Sequence, residues 1–307
     1  MTMKKISYFS YKGGAGRSSL AYNTIPYLVK KMNATPKHPI LVFDLDLDSA
    51  GLTFLLKKSR PDVESYSIQE ALAAGYSKIL NSPARTDIAH HAIFRHCIAV
   101  GDCFGLDNES REAVLFMPTK RDESISKGAN NYAIGGVEES RFKDIIKACE
   151  EFEFSAVIFD TPAGNQATAQ WALDASDCVV TCMRITYQFR MGTHEFLMNK
   201  LKNFSNKRFV LVPNAVPTDE ILINGIAVSY DNIKHLIVED FSKIDINNNE
   251  IDLALVGEGK PFFGVNEVRR FKIQEDVLFK LPPEKLSKDE KMACDAYRLV
   301  VDRIAGE

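Results

Sequence analysis

Residues 10–19, SYKGGAGRSS, constrain this chain more than any other segment. Phosphate-binding loops follow the pattern G-x-x-x-x-G-K-[ST] between a strand and a helix. Gly16 and Ser18 match the second Gly and the Ser/Thr of that pattern, whereas Tyr11 replaces the first Gly and Arg17 replaces the Lys. The glycines of the segment let the backbone curl closely around an anionic group, because they carry no Cβ. The segment therefore predicts a loop that binds nucleotide phosphates, with two departures from the usual pattern.

The residues on either side of this loop support that prediction. Lys4–Phe9 reads as a short apolar strand, and apolar residues recur at helical spacing from Leu20 to Met32. A helix N-terminus below the loop would add roughly half a positive charge at the phosphates. The alternative is a glycine-rich turn with solvated basic residues. This alternative is disfavoured because Lys12 and Arg17 lie between a strand and a helix start.

Acidic residues follow two further apolar runs. Asp44 and Asp46 end residues 39–46, and Asp160 follows residues 155–159. Continuous apolar runs are typical of parallel strands buried on both faces, and the carboxyl ends of such strands line the ligand crevice. We therefore predict that Asp160 and the Ser18 hydroxyl hold Mg²⁺, with Asp44 near the metal.

These motifs together resemble a known family. Residues 12–19, KGGAGRSS, resemble the deviant Walker A motif of the ParA/MinD superfamily of ATPases, in the branch whose loop ends Gly-Arg-Ser. Residues 44–46 resemble the second acidic motif of the family, and residues 160–164 resemble its Walker B motif. Residues 172–180 and 209–214 resemble later family elements, so that the resemblance extends from residue 4 to roughly residue 280. It implies an α/β protein with a three-layer α/β/α P-loop NTPase fold and a mostly parallel central sheet.

The resemblance also implies a role for each motif residue. In that family ATP and Mg²⁺ close two subunits face to face, so Lys12 would reach the phosphates of the partner subunit and Asp46 would position the attacking water. Asn214 would read the adenine edge. The residues expected to bind ATP or ADP are Gly13, Gly14, Ala15, Gly16, Arg17, Ser18, Ser19 and Asn214, and those expected at the metal are Ser18, Asp44 and Asp160.

The presence of Arg17 in place of the loop Lys affects the rate of ATP hydrolysis that we expect. A guanidinium is planar and larger than an ammonium, so Arg17 should sit further from the phosphates than a loop Lys would. We therefore hypothesise a slow, Mg²⁺-dependent ATPase that converts ATP to ADP and phosphate, forms a nucleotide-sandwich homodimer and regulates a protein partner or cargo. The alternative is a nucleotide-stabilised scaffold that does not hydrolyse ATP. A kinase or synthetase ranks last, because Tyr297 is alone in the C-terminal tail.

The length and net charge of the chain limit its domain organisation and the kinds of partner that it binds. The motifs are spread from residue 10 to residue 214 without a Pro/Ser-rich linker, which predicts a single domain over residues 1–307. Residues 82–140 and 215–260 are predicted to be variable, partner-facing segments. The net charge of −3 disfavours nonspecific DNA as a partner, although Arg269, Arg270 and Lys272 form a short basic cluster. A protein partner encoded nearby is the expectation.

The remaining patterns favour a cytoplasmic protein that does not bind membranes. Apolar stretches are strand-sized, far below the roughly 20 residues that cross a bilayer. The chain enters its first strand at once, and it ends without a basic amphipathic tail. The six cysteines form no C-x-x-C pair. His90, His91, His96 and Cys97 are close in sequence, and we interpret them as surface or packing residues rather than metal ligands.

Overall fold

The computed structural model of the chain describes residues 2–73, 95–120, 136–200, 207–217, 221–223, 226–228, 230–241, 244–246, 249–252 and 264–306. The histidines at 90 and 91 lie outside these ranges. The strands are β1 Lys4–Phe9, β2 Ile40–Asp44, β3 Ile98–Ala99, β4 Val114–Met117, β5 Ala156–Asp160, β6 Cys178–Met183, β7 Arg208–Val216, β8 Ile221–Ile223, β9 Ile226–Val228, β10 Asp245–Ile246, β11 Asn249–Asp252 and β12 Val265–Asn266.

Most of these strands form one sheet, in the order β10-β11-β7-β6-β1-β5-β2-β4-β3, with β12 beside β7. The six central strands, β7 to β4 in that order, pair in parallel. The edge strands β3 and β10 pair antiparallel, and β8 and β9 form a separate hairpin. The described strands therefore form a mostly parallel sheet, as the sequence predicts.

Helices cover both faces of the sheet. They are α1 Arg17–Lys31, α2 Gly51–Lys57, α3 Ile68–Ala73, α4 Gly136–Glu151, α5 Ala167–Ala175, α6 Tyr187–Lys200, α7 Tyr230–Phe241 and α8 Lys288–Ala305. Short 3₁₀ turns lie at Pro61–Ser65, Gly101–Phe104, Arg111–Ala113, Arg269–Lys272, Leu278–Lys280 and Pro283–Lys285.

The alternation of side chains along each strand produces the three layers. Val42 of β2 belongs to the core cluster that also contains residues of α1, α2 and α8, whereas its neighbour Phe43 belongs to the cluster on the opposite face. That second face packs against α4 and α5 near β2, and against α6 and α7 near β7. Because both faces are covered, the central strands are continuous apolar runs. The prediction of a three-layer α/β/α fold is confirmed.

Strand register brings the predicted acidic residues to one edge. Asp44 at the end of β2 lies directly beside Asp160 at the end of β5, and Tyr8 of β1 is the partner of Asp160 on the other side. The loop of residues 10–16 leaves β1 at this same edge and leads into α1. The carboxyl ends of β1, β2 and β5 thus place the loop and the carboxylates together.

Other described residues bear on the sequence patterns. Val114–Met117 forms β4, a buried strand of the sheet, so the described part of residues 82–140 contributes to the core. All six cysteines are buried, and none of them forms a disulfide bond. The C-terminal segment forms α8, whose first turn carries a capping box between Ser287 and Glu290. None of the described helices is long and apolar enough to cross a membrane.

Candidate functional site

The loop between β1 and α1 has the shape of an anion cradle. Residues 11–14 are exposed, and Gly14 and Gly16 adopt φ angles of 81° and 84°, which residues with a Cβ rarely tolerate. Helix α1 begins at Arg17, and no described side chain caps its first N–H groups. These N–H groups and the helix dipole make the end of α1 suitable for a phosphate.

Asn214 at the end of β7 supports the loop from below. Its side-chain Nδ2 donates to the Ala15 carbonyl at 2.9 Å and to the Gly16 carbonyl at 3.3 Å. Val265 of β12 lies beside Asn214. Both of these hydrogen bonds of Asn214 go to the loop backbone, and adenine recognition by this residue stays a prediction.

Replacement of Gly16 by alanine should damage the loop. A Cβ at this position would overlap Nδ2 of Asn214, and the residue would keep a left-handed φ. We expect a loss of about 1–3 kcal/mol in the free energy of unfolding, together with weaker ADP binding. Thermal unfolding and calorimetry measure the two effects. The control is Gly13→Ala, whose Cβ meets no atom within 4 Å and which should unfold like the wild type. Equal stability of the two variants would contradict the prediction.

Three contacts attach the exposed side of the loop to the segment 184–192. Nε of Arg184 donates to the Gly14 carbonyl at 2.8 Å, and Nζ of Lys12 donates to Oε1 of Gln188 at 2.8 Å. The ring of Tyr11 lies against Gly192, where a Cβ would overlap it. Lys12 is exposed, and its described hydrogen bond is within its own subunit. Its predicted action on a partner subunit would require it to leave Gln188.

Arg17 points into the protein. Its Nη1 donates to the hydroxyl of Ser10 at 2.7 Å, and its Nη2 lies 3.2 Å from Oδ2 of Asp46 in a buried ion pair. Only 9% of Arg17 is exposed, and its Nε has no hydrogen-bond partner among the described residues. The sequence suggested a guanidinium that holds phosphate from further away than a loop Lys would, and in the structure it lies beside Asp46 at the strand ends.

Asp44 organises the acidic cluster through its own hydrogen bonds. Its Oδ2 accepts from the backbone N–H of Thr53 at 2.8 Å and from the Thr53 hydroxyl at 2.7 Å. Its Oδ1 accepts from the N–H of Asp46 at 3.2 Å. Burial, followed by the charge of Asp160, raises the pKa of Asp44 to about 8. Because both of its oxygens serve protein donors, Asp44 is suited to holding the Asp46 turn near the metal.

Asp160 is the carboxylate best suited to a cation. The side chain is fully buried, and neither oxygen makes a hydrogen bond of normal geometry among the described residues. Burial raises its pKa to about 6, while the Arg17 charge and the nearby Ser18 hydroxyl act in the opposite direction. A buried carboxylate with unsatisfied oxygens is costly unless a cation compensates it. Asp160 and Ser18 therefore fit the oxygen ligands that Mg²⁺ prefers.

The sequence did not reveal the residues that hold these groups in place. They are Ser10, Thr53, Arg184, Gln188 and Gly192. None belongs to a motif of fixed spacing, and each contacts a group that is distant along the chain or has several possible partners. Ser10 alone had a signal, since a hydroxyl residue directly before a phosphate loop lies at the strand end.

Two weaker candidates lose support. Arg270 forms an ion pair with Glu290 at 2.9 Å, and Lys272 forms one with Glu267 at 3.3 Å. The basic cluster is thus largely neutralised by its own neighbours. Cys97 is buried, and burial raises the pKa of its thiol well above its usual value. Among the described residues no group of His, Cys, Asp or Glu has the arrangement of a metal site of its own.

Comparison with known proteins identifies the fold. No family model matches the chain, and no curated protein matches it in sequence. Three similar structures are MinD of Aquifex aeolicus in a MinC:MinD cell division complex, McdA of Cyanothece with ATP, and septum site-determining MinD of Pyrococcus horikoshii with Mg-ADP.

All three structures align over nearly the whole chain. The TM-scores are 0.58, 0.56 and 0.55, with 15% identity in each case. Each alignment covers 99% of this chain and 96%, 97% and 96% of the respective relative. The chain therefore has the three-layer P-loop NTPase fold that MinD and McdA share.

Proposed function

We propose that this protein is an ATP-binding switch that hydrolyses ATP slowly, forms a homodimer around the nucleotide and regulates a protein partner in the cytoplasm. One observation carries the proposal. The glycine loop, the uncapped start of α1 and the buried carboxylate of Asp160 lie at one edge of the sheet. The similar structures support it, since McdA is bound to ATP, one MinD to Mg-ADP and another MinD to MinC.

The proposed roles combine the geometry of this edge with those that the family resemblance implies. The loop N–H groups and the positive end of α1 would hold the phosphates. Ser18 and Asp160 would hold Mg²⁺, which when bound neutralises the charge on the phosphate oxygens. Asp46, in the turn held by Asp44, would orient the attacking water. Lys12 would leave Gln188 and contact the phosphates of the second subunit.

A second candidate function is a nucleotide-stabilised scaffold without turnover. The buried pair of Arg17 and Asp46 favours it, because a carboxylate bound to a guanidinium is not free to orient water. DNA is a less favoured partner than protein, since two cations of the cluster at 269–272 are already paired.

Phosphate release and molecular mass separate the two functions. With Mg-ATP the switch should release phosphate and double its mass in light scattering, and with Mg-ADP it should stay monomeric. Turnover should rise markedly in Arg17→Lys, because a compact ammonium fits between the phosphates more readily than a guanidinium. Stable binding with no phosphate release in either protein would support the scaffold. Absence of saturable nucleotide binding would refute both functions.

A further inference from the structure

We propose that Arg17 binds alternately to Asp46 and to the nucleotide phosphates, so that nucleotide binding releases Asp46. Arg17 is then a positioning residue that keeps the water-orienting carboxylate occupied until phosphates compete for the guanidinium. The inference rests on the proposed nucleotide-binding function.

In its described position the guanidinium is held by two protein partners, Ser10 and Asp46. Its Nη atoms point to Ser10 at 2.7 Å and Asp46 at 3.2 Å, beneath a loop whose residues 11–14 face solvent. Arg17 and Asp46 are each less than a tenth exposed. A phosphate bound on the exposed side of the loop therefore attracts the guanidinium away from Asp46. The five donors of a guanidinium suit a triphosphate as well as a carboxylate.

The electrostatics of the pocket stabilise the inward position of Arg17 only in part. In the inward position Arg17 offsets the charge of Asp46 and lowers the pKa of Asp160. Its Nε, however, is buried without a hydrogen-bond partner among the described residues, and such a group costs free energy. In the outward position the phosphates satisfy the guanidinium, and a cation at Asp160 and Ser18 can replace it among the carboxylates. Nucleotide and metal thus stabilise the same rearrangement.

Release of Asp46 has a defined structural result. Its Oδ1 accepts from the N–H of Ser49 at 3.1 Å, which holds the carboxylate in the turn after β2. Departure of Arg17 frees Oδ2 and leaves this anchor intact. The carboxylate is then correctly placed and has one free oxygen to accept a proton or orient water.

A double-mutant cycle tests the competition. In Asp46→Asn the amide oxygen can still accept from Ser49, but the charge that retains Arg17 is gone. Calorimetry with Mg-free ADP should show affinity increased by about tenfold, the factor expected when roughly a tenth of the wild-type molecules are binding-competent. In the Arg17→Gln background the same change should alter affinity by less than about twofold.

Two controls separate this mechanism from simple charge repulsion. Asp48→Asn removes the same charge two residues further along, at an exposed side chain whose described partner is Gln166 at 3.3 Å. It should change ADP affinity by less than about twofold, because its screened charge has no contact with Arg17. An equal gain with Asp48→Asn, or an equal gain from Asp46→Asn in the Arg17→Gln background, would overturn the proposal.

A spectroscopic measurement on the wild-type protein decides the question if Asp46→Asn does not fold. The Nε–H signal of Arg17 is assigned by its loss in Arg17→Lys and followed while Mg-free ADP is added. A large shift at saturation supports movement of the guanidinium, and an unchanged signal at saturation overturns it. If the wild type binds no ADP at all, the proposed function itself fails, whereas binding without coupling refutes only the role of Arg17.

Discussion

Lys12→Ala is expected to reduce ATP turnover at least about 100-fold, because a cation supplied across a subunit interface is worth this much or more in phosphoryl transfer. Nucleotide binding by the monomer should be largely unchanged. Lys12 is exposed at the tip of the loop, where it donates to Gln188 and lies over the ring of Phe189, so its removal leaves no buried polar group unpaired. Phosphate release, ADP titration and light scattering measure these effects. Lys37→Ala is the control, since Lys37 is exposed at the opposite edge of the sheet.

Mixing experiments determine whether Lys12 acts across the interface. Lys12→Ala and Asp46→Asn should each be inactive alone. In a mixed dimer, the site that keeps Asp46 receives Lys12 from the other subunit and is complete. Random mixing should therefore restore about a quarter of the wild-type activity, because half of the dimers carry one complete site of two. Failure to restore any activity, with mixed dimers demonstrated, would contradict action in trans.

Asp160→Asn is expected to stabilise the nucleotide-free protein while abolishing Mg²⁺-dependent turnover. Burial raises the pKa of Asp160 to about 6, so the folded state retains its proton at a pH where the unfolded chain has lost it. The contribution of Asp160 to the free energy of unfolding of the wild type should thus be greatest below pH 4. It should decrease as the pH rises through 6. At pH 8 the ionised side chain costs about 3 kcal/mol, which the neutral amide avoids.

The pH dependence and the metal dependence provide the test of Asp160. The melting temperature of Asp160→Asn should exceed that of the wild type at pH 8, by on the order of 5 °C, and by less at pH 5. Addition of Mg²⁺ to the ADP complex should raise the melting temperature of the wild type only. Asp144→Asn, the same change at an exposed position of α4, should have neither effect. A variant less stable than the wild type at pH 8, with an unchanged response to Mg²⁺, would refute the assignment.

The order of the strands and the loop along the chain could be predicted because buried strands have a recognisable residue pattern. Buried parallel strands are continuous apolar runs, and the residues at their ends are acidic or glycine-rich where the sheet opens to solvent. For this reason the sequence alone predicts β1, β2, β5 and the loop, although it does not show which strands pair. The register of Asp44 beside Asp160 follows from the sheet and confirms that these residues lie together. Their chemical roles stay predictions.

The directions in which the side chains of Arg17 and Lys12 point could not be predicted from the sequence. Arg17 has five donors and a flexible stem, and the acidic residues, the phosphates and the solvent all suit it. The choice of Asp46 and Ser10 depends on side chains that meet only after the sheet has formed. Similarly, the hydrogen bond between Lys12 and Gln188 joins residues that are 176 positions apart in the chain. No spacing rule contains such information.

The contact between Tyr11 and Gly192 has a consequence for the recognition of related sequences. The usual loop pattern places a glycine where this chain has Tyr11, and here the space for the aromatic ring is provided by a glycine on α6. In this chain the small residue of the contact is therefore on α6, whereas the usual pattern has it in the loop. Homologues should therefore covary at these positions, with a large residue at 11 paired with glycine at 192. Where position 11 is glycine, the helix position is free to carry a side chain.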